Sequence, residues 1–183
     1  MSERNRVCPV ELSGSLDSKI RRWIQNPEKI LKPYVKKDIT AMDIGCGPGF
    51  FTLPMAQLVG ENGKVIAVDL QEGMLQKLHQ KIKGTELEDK IMLHKCEQDK
   101  IGINEKVDFV LAFYMVHEIP KQYNFFMELK SLLNPNGSIF IVEPKLFHVS
   151  KKAFENMLSN AGSAGLKPVE YPHLTFSWGV ILN

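Results

Sequence analysis

Residues 39–52 read ITAMDIGCGPGFFT: an apolar run closes on Asp43, and glycine follows at 45, 47 and 49. Glycines between a strand and a helix permit positive φ and let a ligand touch the backbone. A second acid, Asp69, closes the run VIAVDL about two dozen residues after Gly45. A carboxylate there is well placed for the two vicinal hydroxyls of a ribose. Asp43 separates the candidate ligands. A pyrophosphate would be repelled by a carboxylate at the strand end, whereas an ammonium group would be attracted. The third glycine also comes one residue earlier than in G-x-G-x-x-G. The turn therefore favours a nucleoside joined to an amino acid over a dinucleotide, and it counts against a nicotinamide-dependent reductase.

A second set of polar residues follows the next long apolar run. Tyr114, His117 and Glu118 come after VDFVLAF, and Glu143 and His148 come at and after the end of SIFIVE. His117 has the reference pKa, ~6.5, closest to neutral, so it is the candidate proton acceptor of the group. A structural role, capping the next helix or bonding to the sheet, stands beside the catalytic one.

The elements that must position these residues alternate along the chain. Strands are expected at 39–44, 64–70, 90–95, 107–114 and 138–143, and helices at 50–60, 72–84, 121–133 and 150–165. The helix over 121–133 is stopped by NPNG, Ser150 caps the helix that follows it, and the tail offers two more short strands. Ahead of them, SLDSKIRRWI places Leu16, Ile20, Trp23 and Ile24 on one helical face, and Asn26-Pro27 reads as an N-cap with proline at the first helical position. Strands alternating with helices of ten to fifteen residues give βαβ units, right-handed crossovers and a largely parallel, doubly wound sheet. Ligands of such α/β sheets lie beyond the carboxyl ends of the strands. Both sets of polar residues fall there.

The chain has 183 residues, 44% of them hydrophobic and 24% charged, with a formal net charge of +2. That is an ordinary globular composition, expected to form a single domain. The charge is too weak to imply a nucleic-acid or membrane partner. Cys8, Cys46 and Cys96 are far apart and odd in number, with no C-x-x-C pair, so a reduced, cytoplasmic protein is expected. His94 and Cys96 share a strand face, but no second pair sits at ligand spacing, and no metal is expected.

The ordered segments AMDIGCGPGFFT, VIAVDL followed by Met74, DFVLAFYMVHEI and LLNPNGSIFIVEP together resemble the class I S-adenosylmethionine-dependent methyltransferases. The last resembles the turn before strand five in small-molecule methyltransferases of the quinone-biosynthesis type. The resemblance covers residue 39 to the end of the sequence. It implies a seven-stranded Rossmann-like sheet over 38–183, with residues 1–37 as a helical cover, all within one methyltransferase domain. It implies that Asp43, Gly45, Cys46 and Gly47 face the methionine part of S-adenosylmethionine, and that Asp69 binds the ribose. Leu70 and Met74 would flank the adenine, with Cys96 and Phe113 nearby. The family often has an acid after strand three. This chain has Cys96-Glu97-Gln98-Asp99, with Glu97 the first choice and Asp99 the second.

Methyl transfer from a sulfonium leaves a neutral thioether, so no acid is needed, and the protein's main task is near-attack geometry. A base is required only where the acceptor must lose a proton; Tyr114, His117 and Glu118 are the candidates. The N/D-P-P-Y/F signature of methyltransferases that act on adenine or glutamine amides is absent from AFYMVHE, which points to a small-molecule acceptor and away from nucleic acid. The connection PKLFHV after strand five is too short for an inserted lid, so the N-terminal helices, with Trp23, are expected to cover the acceptor. Phe50 and Phe51 are either pocket or core. A non-catalytic nucleotide-binding or partner-docking module on the same fold is the alternative reading.

Overall fold

The computed structural model describes residues 25–145 and 149–183. The expected helix over 15–24, most of the proposed N-terminal cover, Cys8 and His148 lie outside the described residues.

Seven strands form one sheet: β1 (Thr40–Ile44), β2 (Lys64–Asp69), β3 (Ile91–Lys95), β4 (Val107–Phe113), β5 (Leu133–Pro144), β6 (Pro168–Glu170) and β7 (Ser177–Leu182). Their order is β3-β2-β1-β4-β5-β7-β6. The pairs β1–β2, β2–β3, β1–β4 and β4–β5 are parallel, and β7 runs antiparallel to β5 and β6. The helices among the described residues are α1 (Pro27–Leu31), α2 (Thr52–Leu58), α3 (Glu72–Ile82), α4 (Gln122–Leu132) and α5 (Lys151–Ser163), and a 3₁₀ turn spans Val116–Glu118. The chain leaves β1 toward β2 on one side and returns to β4 on the other, so the strand order reverses between β1 and β4. In sheets of this kind the ligand crevice opens at that point.

The central strands are apolar throughout because both faces are covered. Met42, Ile66, Val110 and Ile141 pack with Phe126, Leu129, Phe154 and Met157 of α4 and α5. Ala41, Val65, Phe109 and Phe140 pack on the other face with Leu31, Met55, Leu78 and Ile82 of α1, α2 and α3. Side chains alternate faces along a strand. Asp43 and Asp69 share the parity of Ala41 and Ala67, and so fall on the α2 side of the sheet.

The expected caps are present. Lys29 N donates to Asn26 Oδ1 at 3.1 Å, with Pro27 opening α1, and Ala153 N donates to Ser150 Oγ at 3.1 Å. Helix ends differ from the sequence reading by a residue or two, and the start of β5 differs by more. NPNG does not separate α4 from a strand beginning at Ser138, because β5 already starts at Leu133, paired with Val107. The ladder is irregular until Phe109 meets Ser138. Asp108 holds this bulge: its Oδ1 accepts from Asn134 Nδ2 at 2.8 Å and its Oδ2 from Thr40 N at 3.0 Å. That long-range anchoring leaves no local signature.

Candidate active site

The glycine turn is fixed to the end of β2. Gly45 N and Cys46 N both donate to Val68 O, at 2.9 and 3.0 Å. Gly47 N donates to Asp69 Oδ2 at 2.9 Å and Gln71 N to Oδ1 at 2.8 Å. Asp69 is 7% exposed. Burial pushes its carboxyl above the usual range, although bonds from the Gln71, Gly47 and Leu70 backbone act in the opposite sense. An ionised carboxylate has about four acceptor positions. The backbone N–H groups take up part of that capacity, and what is left suits a further donor such as a hydroxyl, which would relieve the burial of the charge.

Two of the glycines serve different ends. A Cβ on Gly47, at φ +52°, would meet nothing within 4 Å, so this turn presents bare backbone beside open space. A Cβ on Gly49, at φ +91°, would lie 2.5 Å from Leu78 Cδ1, so here glycine lets α3 pack against the turn. Asp43 is 2% exposed, and its Oδ2 accepts from Thr52 Oγ1 at 2.6 Å. Thr52, the first residue of α2, was not singled out by sequence reasoning; only its distance from Asp43, nine residues along a strand–turn–helix, hinted at the contact.

A cleft of about 350 Å³ opens between the ends of β1, β3 and β4. Ile44, Cys96, Glu97, Asp99, Met115 and Phe125 are among the residues that line it. It thus brings together Cys96 and both acids put forward after strand three. Leu70 and Met74 do not line this cleft. Leu70 is half-buried just past β2, and Met74 is buried on α3. Phe113, also buried, packs at a tilt against Phe51 at 4.3 Å and Tyr114 at 4.4 Å between centroids. Phe50 and Phe51 belong to the core cluster on the α2 face. Burial holds the Cys46 thiol well above its ordinary pKa and pushes that of Cys96 up to about 11, so both are protonated at neutral pH. His94, weighed above as a metal ligand, places Nε2 2.7 Å from Ile101 O.

The second polar set gathers around the turn after β4. Glu143, 1% exposed near the end of β5, lies against that turn. Its Oε1 accepts from Val116 N at 2.8 Å and His117 N at 3.3 Å, and its Oε2 lies 2.5 Å from His117 Nδ1. Burial alone would lower the His117 pKa; the hydrogen bond and charge of Glu143, with the charge of Glu118, outweigh it and raise the value. Burial pushes Glu118 up to about 7; His117 opposes this, while Glu143 and Asp69 add to it. Tyr114 stands apart. It takes φ +61°, and its hydroxyl accepts from Gln25 Nε2 at 2.6 Å and lies 2.5 Å from Ser177 Oγ. Sequence reasoning set His117 and Glu143 among its candidates but did not pair them, because the pairing depends on the register of two parallel strands.

A family model described as a methyltransferase domain matches residues 35–172. A crystal structure of an S-adenosylmethionine-dependent methyltransferase from Aquifex aeolicus is similar over 96% of this chain and 98% of its own, with 26% identity and a TM-score of 0.84. The fold is shared at 13% identity and a TM-score of 0.70 with Aeropyrum pernix fibrillarin, solved with natively bound S-adenosyl-L-methionine; the match covers 87% of this chain and 74% of that one. Among curated proteins, the demethylmenaquinone methyltransferase of Bacillus cereus (strain ATCC 10987 / NRS 248) is 26% identical over 123 residues, 67% of this chain. This chain spans about half, 51%, of that relative's length.

Proposed function

The chain belongs to the class I S-adenosylmethionine-dependent methyltransferases, and from that premise we propose that it methylates a small-molecule acceptor. When bound, the family's cofactor S-adenosylmethionine supplies an electrophilic methyl group on a positively charged sulfur. The observation that carries the reading is the Asp69–Gly47 contact: a buried carboxylate oriented by the glycine turn, with acceptor capacity left over. Asp69 would hold the ribose hydroxyls. Gly45, Cys46 and Gly47 would present backbone to the amino-acid end, and Asp43, clamped by Thr52, would attract its ammonium. The cleft bearing Cys96, Glu97 and Asp99 fits the adenine, with Leu70 and Met74 toward its other side and Phe113 behind the turn.

The residues after β4 would face the acceptor. Glu118 and the His117–Glu143 pair offer proton acceptors there, whereas the Tyr114 hydroxyl is engaged with Gln25 and Ser177. The B. cereus relative is named for a demethylmenaquinone acceptor; for this chain the reading extends to a compact acceptor bearing an ionisable hydroxyl. The net charge of +2 supports a small molecule over nucleic acid. Among the described residues no helix is long and apolar enough to cross a membrane, and a cytoplasmic setting is proposed from the cysteine usage alone. Calorimetry with S-adenosylhomocysteine tests the cofactor assignment. Saturable sub-millimolar binding is expected, with no fluorescence enhancement of NADH. Silence with S-adenosylhomocysteine and enhancement with NADH would overturn it.

A further inference from the structure

We propose that Glu143 is a positioning residue: it holds the His117 ring with Nδ1–H directed at its carboxylate, so that Nε2 is free to take the proton of an acceptor hydroxyl during methyl transfer. The inference rests on the methyltransferase reading above and deepens it, because it assigns the base and the kind of acceptor.

The geometry supplies the tautomer. Glu143 already accepts from two backbone N–H groups, so its carboxylate is placed as an acceptor, and the nitrogen 2.5 Å from its Oε2 is assigned the hydrogen. A neutral imidazole has one N–H, which leaves the lone pair on Nε2. No described residue hydrogen-bonds Nε2, and the His117 side chain is 27% exposed, so that nitrogen has access to a ligand. Glu143 is 1% exposed, and a buried carboxylate needs several donors to remain charged. Among the described residues, Val116 N, His117 N and the ring nitrogen supply three. The two backbone bonds would be enough to cap the 3₁₀ turn. The ring bond is additional, and its effect is to fix a side chain. Among the described residues, the charged groups that act on His117 are Glu143 from β5 and Glu118 from its own turn. Both are acidic, so each favours the imidazolium that forms when Nε2 accepts a proton.

A fixed base narrows the acceptor. Transfer to a thioether or a tertiary amine needs no proton acceptor, whereas transfer to a phenol or enol does. In the step inferred here the acceptor O–H bond breaks and its proton goes to Nε2. The electron pair on oxygen forms the new bond to the methyl carbon, and the methyl–sulfur pair stays on sulfur as a neutral thioether.

Long-range 1H–15N spectra of the protein saturated with S-adenosylhomocysteine test the positioning. Neutral His117 is expected as the Nδ1–H tautomer. In Glu143→Gln that preference should vanish and the His117 pKa should fall, because the hydrogen bond and charge that raise it are lost, while affinity for S-adenosylhomocysteine stays within about twofold. An Nε2–H tautomer in the unaltered protein, or an unchanged titration in the variant, would overturn the assignment. The first of these measurements stands even if the variant does not fold. For the base itself, 4-nitrophenol added to the loaded protein should ionise about one pH unit below its free value, and should not do so with His117→Asn. No difference between the two proteins would refute the base. Loss of S-adenosylhomocysteine binding in the unaltered protein would instead refute the cofactor reading.

Discussion

At the scale of single residues, the site depends on carboxylates that each do two things. Asp69 pins the glycine turn through Gly47 N and the start of α3 through Gln71 N, and it keeps capacity for a ligand. Charge-assisted hydrogen bonds contribute about 1.5–3 kcal/mol each. Asp69→Ala should therefore lower S-adenosylhomocysteine affinity at least tenfold by calorimetry. Asp69→Asn, which keeps an acceptor for one backbone N–H, separates ligand contact from turn stability: affinity should again fall, with a smaller change in Tm than for alanine. Unchanged affinity in both would place the cofactor elsewhere. The acids at 43 and 69 were legible in the sequence because their types and distances from the glycines suffice to suggest a ligand. The partners were not. Thr52 for Asp43 and Glu143 for His117 are set by which strands lie side by side and in what register, and neither is written in local spacing.

Among the elements, strands and helices were legible nearly throughout, since each carries its own period and caps. What escaped is where elements hold loops at a distance. NPNG became a bulge inside β5 because Asp108 anchors Asn134. The loop after β3, which borders the cleft, is held by Glu128 of α4, whose two oxygens accept from Ile101 N and Gly102 N, each at 3.0 Å. Opening of that loop is limited by these two bonds and by His94 against Ile101 O. In Glu128→Ala, amide exchange at Ile101 and Gly102 should accelerate about tenfold or more while the amides of β1 and β4 stay protected. Cofactor affinity should fall less than in Asp69→Ala, because the ribose contact is untouched. Equal protection of Ile101 and Gly102 in variant and parent, by hydrogen-exchange mass spectrometry, would contradict this.

For the molecule as a whole, the acids gathered at the carboxyl ends of the strands set how stability responds to pH. Glu118 is raised from 4.5 to about 7 in the fold. The folded state therefore holds a proton that the unfolded state releases between those values, so stability falls as pH rises through that window. The raised carboxyl of Asp69 acts in the same sense from its ordinary 3.8 upward. His117 is raised above 6.5, so its contribution is fully present below 6.5 and is lost as pH rises through its folded value. All three slopes have the same sign. Without ligand, the protein should unfold at a higher urea concentration near pH 5.5 than near pH 8, and Glu118→Gln should flatten the slope below pH 7. A midpoint that rises with pH across this range would contradict the placement of these groups. None of this slope was visible in a net charge of +2, because it comes from where the acids sit and not from how many there are.

The contact between Gly49 and Leu78 has a consequence for how substitutions depend on one another. A side chain at position 49 meets two barriers, the Leu78 methyl 2.5 Å from its Cβ and a backbone at φ +91°. Shortening Leu78 removes the first barrier and leaves the second. A relative could therefore carry a smaller residue at the position of Leu78 and still have glycine at the third position. A relative with a side chain at the third position needs both the shorter partner and a rebuilt turn. The dependence runs in one direction only. A covariation search that expects the two positions to exchange symmetrically would miss the coupling, although the two residues touch.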